Sequence, residues 1–178
     1  MKTTAILIAG FGGQGTLFAG KVLAVASLMK GLEVSWLPSY GPEMRGGTAN
    51  CSVMISDSPI GSPIVSKPDI LLALNKPSFE KYEKLTVPGG NVFVDSSLVD
   101  VKSSREDISV FYTPATETAG DATGNTGLSN IVLIGKAIKE TGLFTEEEII
   151  AAINEIVPKS KQALLDANVK ALRAGMNA

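Results

Sequence analysis

The stretch that most constrains this chain is Gly10-Phe11-Gly12-Gly13-Gln14-Gly15, because an apolar run precedes it and a long helical run follows it. Thr3 to Ala9 is short and β-permissive, whereas Thr16 to Lys30 is rich in Ala, Leu, Val and Met and too long for an ordinary strand. The glycines therefore turn a strand into a helix. Such a turn needs glycine where φ is positive, and where a ligand or a neighbouring element approaches the backbone with no Cβ between. It also leaves unpaired N–H groups at the helix start, which together with the positive end of the helix dipole favour a phosphate or carboxylate. The spacing Gly10, Gly12, Gly15 fits the dinucleotide fingerprint as well. Three readings stand side by side: a nicotinamide or flavin dinucleotide, a phosphate-bearing group of another kind, or close packing alone.

A dinucleotide fold expects an acidic residue near the end of the second strand, where it holds the ribose hydroxyls. Here that strand, Leu32 to Pro38, ends Trp36-Leu37-Pro38, and Glu33 sits at its start. No arginine replaces the acid for a phosphorylated ribose, and the following strands lack crossover helices. These features weigh against NAD or FAD.

The second unusual stretch follows at once: Pro38-Ser39-Tyr40-Gly41-Pro42-Glu43-Met44-Arg45-Gly46-Gly47-Thr48. It is either a connection whose charges are solvated, or a loop whose glycines and prolines hold a ligand or partner near one arginine. Arg45 either braces the loop through Glu43 or meets an anionic ligand.

Further strands are expected at Asn50–Ser56, Asp69–Leu74, Asn91–Asp95 and Ile108–Tyr112, with an irregular connection from Asp57 to Pro68. Asp95, at a strand's carboxyl end, either touches a ligand or caps a turn. The helix from Thr16 carries apolar residues nearly all round, with Leu17, Val22, Val25 and Leu28 among them, so it is covered on more than one side and capped by Gly31. Pro77 fits the first turn of a short helix through Phe79, Tyr82 and Leu85, which Pro88-Gly89-Gly90 breaks. Thr113 to Gly127 mix Thr, Ala and Gly and carry a turn signal at Gly124-Asn125-Thr126-Gly127. Asn130 opens a helix that Gly142 ends. Thr145-Glu146-Glu147-Glu148 is a capping box, with Phe144 and Ile149 placed for a hydrophobic staple. Pro158 ends that helix, and a last one runs from about Lys159 to Arg173 with Leu164, Leu165, Val169 and Leu172 inward. Three strands between Gly31 and Asn75 with no helix among them exclude a purely parallel sheet. The expected fold is thus α/β: a single layered domain over residues 1–178, with a mixed β-sheet, a Rossmann-like glycine turn after strand 1 and a helical carboxyl-terminal part.

Composition narrows the chemistry. With no histidine and one cysteine, zinc, iron–sulfur and Ser-His-Asp readings lack ligands or a base in this chain. Cys51 alternates with Val53 and Ile55 on the inward face of a strand and reads as a small buried hydrophobe. Lacking a disulfide partner, the chain fits a reducing cytoplasm. A formal charge of −2 and the absence of any basic run argue against nucleic acid. No run is long enough to span a membrane. A mean hydropathy of +0.21 with only 19% charged residues favours a subunit with apolar interfaces.

Taken together, the glycine turn, the loop Ser39 to Gly47 and the later Pro59-Ile60-Gly61-Ser62-Pro63 resemble the gamma subunit of 2-oxoacid:ferredoxin oxidoreductases of the pyruvate, ketoisovalerate and 2-oxoglutarate type. Pro114-Ala115-Thr116, Gly124-Asn125 and Asn130 are similar to the family's carboxyl-terminal pattern. The resemblance implies an oxidoreductase subunit, inactive alone, in a complex that decarboxylates a 2-oxoacid to acyl-coenzyme A and CO2 and passes electrons to ferredoxin. It implies companion subunits of alpha, beta and delta type, which hold the thiamine diphosphate, Mg2+ and 4Fe-4S clusters. Gly10, Gly12, Gly13, Gln14 and Gly15 would then cradle a coenzyme A phosphate. Tyr40, Gly41, Pro42, Glu43, Arg45, Gly46 and Gly47, with Asn125 and Asn130, would line an active-site loop at the subunit interface. No residue of this chain is expected to be catalytic. The alternatives are an assembly subunit whose glycines only permit packing, or a nicotinamide-binding oxidoreductase.

Overall fold

Unbroken apolar residues from Ala5 to Ala9 suit a strand covered on both faces. β1 (Thr3–Phe11) is that strand: Ile6 and Ile8 enter one core, Ala5 and Leu7 the other. The computed structural model describes residues 3–41 and 46–178. Around β1 lie β2 (Glu33–Tyr40), β3 (Thr48–Ser56), β4 (Ile70–Ala73), β5 (Asn91–Asp95) and β6 (Ser109–Thr113), in the order β2-β3-β1-β4-β5-β6. β2 and β3 form an antiparallel hairpin, and β3 is antiparallel to β1. β4, β5 and β6 run parallel to β1. The mixed sheet follows from the missing crossover helices, since a short connection can only reverse the chain.

The larger core lies under α1 (Thr16–Met29), α3 (Ala115–Thr123), α4 (Ser129–Thr141), α5 (Glu146–Ile156) and α6 (Gln162–Met176). The smaller lies on the opposite face under α2 (Lys76–Tyr82), where Phe79 packs with Leu71 and Val92. The helix after β1 and the helix after β4 thus leave the sheet on opposite faces, which makes the carboxyl ends of these adjacent parallel strands a topological switch point.

α1 is enclosed as its composition demands, by the sheet on one side and α5 on the other. Its buried stripe is built of small residues, Ala19, Gly20, Val22, Ala26 and Ser27, whereas Leu28 and Met29 stand exposed at its end. Gly20 sets the approach to β3, because a Cβ there would collide with Cys51 Sγ and stand 3.0 Å from Trp36 Nε1. Burial pushes the Cys51 thiol up to about 12, with the Trp36 indole acting in the opposite direction, so it packs as a neutral hydrophobe. At the helix end Gly31 N–H reaches Leu28 O and Leu32 N–H reaches Ser27 O, the paired bonds of a Schellman cap.

The capping box of α5 is formed in full: the Thr145 hydroxyl accepts from Glu148 N, and the Glu148 carboxylate accepts from Thr145 N. Phe144 and Ile149 are both buried in the larger core. Thr145→Ala is expected to lower stability by about 1 kcal/mol, read as a shifted denaturant midpoint with unchanged slope. An unshifted midpoint would mean that tertiary packing alone fixes this helix start.

The structure adds one helix and corrects one expectation. Within Thr113 to Gly127, Ala115–Thr123 is helical, and the chain reverses at the signalled turn, with Gly124 at φ 73. The helix is invisible locally because Pro114 precedes it and supplies no capping side chain. Its cap comes from β5, where Asp95 Oδ1 accepts from Thr116 N at 3.2 Å and from Ser97 N at 3.1 Å, while Oδ2 accepts from the Thr116 hydroxyl at 2.5 Å. The last helix is also displaced, beginning at Gln162 after a turn from Pro158 and running to Met176. Leu164 is exposed rather than inward. The buried stripe is Leu165, Asn168, Ala171, Leu172 and Gly175. Small residues hold that register because α4 and α6 cross with backbones nearly touching.

Candidate functional site

The turn between β1 and α1 divides into packing positions and open ones. Gly10 is a packing position, since a Cβ there would stand 2.7 Å from Gln14 Oε1 and 3.0 Å from Leu74 Cβ. Gly15, at φ 72, is the N-cap of α1, and a Cβ on it would collide with the Asn130 amide. Gly13 is different. It is exposed at φ 103, and among the described residues nothing lies within 4 Å of where its Cβ would be.

Gln14 is a tie rather than an open donor. Its Oε1 accepts from Phe11 N at 2.7 Å and from Asn75 Nδ2 at 2.9 Å, and its Nε2 donates to Leu74 O at 2.9 Å. Asn75 in turn caps α2 by accepting from Ser78 N. One side chain thus links the starts of the two helices that flank the switch point. Sequence reasoning passed over Asn75, although an asparagine just before Lys76-Pro77 carries the signal of a helix N-cap.

The second glycine-rich stretch docks on the first. Gly12 N donates to Gly47 O at 2.8 Å, and Gly46 N donates to Gly12 O at 3.4 Å. Gly41 closes the hairpin neck, with its N–H on Thr48 O at 2.7 Å. Tyr40 ends β2 opposite Ala49 and is 48% exposed. Pro42, Glu43, Met44 and Arg45 lie outside the described residues, and with them the expected Glu43/Arg45 pair.

The carboxyl-terminal segment contributes unequally. Asn130, buried on α4, donates Nδ2–H to Gly15 O at 3.0 Å and leaves Oδ1 without a partner among the described residues. Asn125 is exposed and its side chain serves locally, accepting from Gly127 N at 2.9 Å in the turn Thr126–Leu128. So the structure joins Gly12, Gly46, Gly47, Gly15 and Asn130 in one place and leaves Asn125 to its own turn. Asp95 is used as a helix cap.

Electrostatically the site suits an anion. α1 has no acidic residue in its first turn and no side-chain cap, so among the described residues no side chain compensates its initial N–H groups or the positive end of its dipole. Its position at the carboxyl end of β1, beside the switch point, is where open α/β sheets hold ligands. No helix among the described residues is long and apolar enough to cross a membrane.

Comparisons with known proteins bear on this arrangement. A family model described as pyruvate ferredoxin/flavodoxin oxidoreductase matches residues 5–178. The ketoisovalerate oxidoreductase subunit VorA of Methanothermobacter marburgensis is 39% identical over 175 residues, covering 98% of this chain but 36% of that protein. The 2-oxoglutarate synthase subunit KorC of the same organism is 39% identical over 176 residues, covering 96% of this chain and 93% of that one. The chain therefore spans about a third of the length of the first relative and nearly all of the second. The gamma subunit of keto/oxoacid ferredoxin oxidoreductase from Geobacter sulfurreducens PCA shares the fold at a TM-score of 0.86 and 31% identity, over 99% of this chain and 96% of that one.

Proposed function

Because the chain belongs to the pyruvate ferredoxin/flavodoxin oxidoreductase family, we propose that it is the gamma subunit of a multi-subunit 2-oxoacid:ferredoxin oxidoreductase and binds the coenzyme A of that reaction. The reaction joins a 2-oxoacid and the coenzyme A thiol into an acyl thioester, releases CO2 and delivers two electrons to ferredoxin. Thiamine diphosphate with Mg2+ and 4Fe-4S clusters supply that chemistry from companion subunits of alpha, beta and delta type. A chain with one cysteine, buried, cannot furnish the thiolates of a cluster.

The observation that carries this reading is the docking of the two glycine-rich stretches through Gly12, Gly46 and Gly47 over an uncapped helix start. Backbone donors held by a hydrogen-bonded frame bind an anionic carrier without reorganising when it arrives. Asn130 fixes Gly15, Gln14 fixes the turn to β4 and α2, and Gly13 is left as the open approach. The chain's part is thus to bind and orient; the reacting atoms belong to the cofactors.

A scaffold reading, in which the glycines only permit close packing, is favoured by Gly10 and Gly15, where a side chain has no room. One substitution separates the two. Gly13→Val places a branched side chain at the open position and forces it to φ 103, so it is expected to raise KM for coenzyme A by roughly tenfold or more while the companion subunits still copurify. Unchanged coenzyme A kinetics in an assembled complex would remove the phosphate role and leave the scaffold.

A further inference from the structure

The buried stripe of α1 takes up only part of its circumference. At about 3.6 residues per turn, Leu17, Phe18, Lys21, Val25, Leu28 and Met29 fall together on the opposite arc. Leu17, Phe18 and Val25 are half-buried there, while Leu28 and Met29 are 59% and 57% exposed. The arc is thus apolar except for Lys21, the single charged residue of the helix. Lys21 makes no hydrogen bond or ion pair among the described residues. Trp36 of β2, 39% exposed, lies against Gly20 at the margin of the arc. A helix face that meets water ordinarily carries polar residues. Here the charges gather at the rim instead, with Lys30 and Glu148 paired at 3.0 Å and Glu33 exposed at the start of β2. An apolar centre within a polar rim is the composition of a protein–protein contact.

Two observations choose the occupant. Lys21 lies near the middle of the face, so a second copy packed about a two-fold axis there would set it beside its own counterpart, two like charges in a contact that excludes water. The VorA relative, of which this chain covers 36%, carries additional polypeptide joined to the matching third, which therefore has a neighbour in its own chain. We propose that the outer face of α1 docks the companion chain that corresponds to the rest of VorA, through an apolar ridge along Leu17, Val25, Leu28 and Met29 and a carboxylate set against Lys21. This rests on the subunit reading above and puts the interface on the helix whose amino end forms the glycine turn. A helix of 14 residues is about 21 Å long, so it supplies the apolar centre of the contact and the rim completes it.

The test coexpresses the tagged chain with its companions and measures thiamine and iron retained per tagged chain. It also measures the dissociation constant of the purified complex by sedimentation at low and high salt. The double variant Leu28→Asp/Met29→Asp is expected to raise Kd by roughly a hundredfold or more, because it sets two carboxylates in the apolar centre. Lys21→Glu is expected to raise it roughly tenfold at about 50 mM salt and less at about 500 mM, as screening of a charge pair requires. All three positions are exposed, so the isolated variants are expected to melt with the wild type, which separates lost docking from lost fold. Should the double variant melt early, Lys21→Glu decides alone: a salt-dependent loss supports the face and an unchanged Kd overturns it. A stable double variant that holds its companions at the wild-type Kd overturns the docking face. So does an isolated wild-type chain that dimerises and is dispersed by the same double variant, since the face then belongs to a second copy. Failure of the subunit reading shows differently. The wild-type chain then retains no partner bearing thiamine or iron, whereas a wrong docking face leaves that complex intact in every variant.

Discussion

Gly135→Ala is expected to destabilise the protein by about 3 kcal/mol and to lower its midpoint of thermal unfolding by roughly 6–12 °C. Gly135 sits in the middle of α4, where it faces α6. A Cβ there would run into the Leu172 carbonyl oxygen and stand 3.0 Å from Met176 N. Both obstacles are backbone, which cannot rotate away as a side-chain tip can. Two effects oppose one another. Alanine favours a helix interior over glycine by about 1 kcal/mol, but relief of the overlap requires α6 to move off α4. That movement would open the core around Ile131, Leu133, Ala171 and Leu172, all fully buried, and interiors packed at crystal density tolerate little of it. The overlap therefore wins. Gly175→Ala meets the Val132 carbonyl in the same way but lies in the last turn of α6, which can fray, so its effect is expected to be smaller. The two substitutions act on one crossing and should not add. Gly61→Ala is the control, because its Cβ would meet nothing among the described residues within 4 Å. A Gly135→Ala protein that melts with the wild type would show that this helix pair yields.

Asp95→Ala is expected to cost a similar amount, again about 3 kcal/mol, by a different route. The Asp95 carboxylate is fully buried and accepts from Ser97 N, Thr116 N and the Thr116 hydroxyl. Alanine removes both acceptor oxygens and leaves three part-buried donors, each short of a bond worth roughly 1 kcal/mol or more. The loss falls first on α3, because Pro114 offers no replacement cap. Among the described residues, Ser97 Oγ, which accepts from Glu117 N, is the side-chain cap that remains at that helix start. Amide exchange at Thr116 and Glu117 is expected to quicken beyond what the drop in global stability explains. Asp95→Asn keeps one acceptor oxygen and should cost about a third as much. If Asp95→Ala unfolds at the wild-type denaturant concentration, the carboxylate is no structural cap and a ligand role for it reopens.

These residues mark where reading the chain by itself stops. The strand-to-helix turn, the Schellman end of α1 and the capping box at Thr145 were legible because each is made by residues within a few positions of one another. The mixed sheet was legible from the missing crossover helices. α3 was not, since its cap is contributed across 21 positions from another strand. The inward register of α6 was misjudged at Leu164 because hydrophobicity was weighed and backbone approach was not. At the site, Gln14, the glycines of the first turn and Asn130 were singled out through the family resemblance, which carries no information on what holds Gln14 in place. The tie it makes to Asn75 spans 61 positions and is visible only in the folded chain.

Alone, then, the order of residues determined which segments are strands, which are helices apart from α3, and where most of them begin and end. Those properties depend on side-chain periodicity and on hydrogen bonds closed within a turn or two, so local chemistry settles them. Tertiary structure decided which glycines are open and which are packed, and that the two glycine-rich stretches form one frame. Each of those outcomes depends on which distant backbone comes within contact distance, and that is set by the packing of whole helices against the sheet.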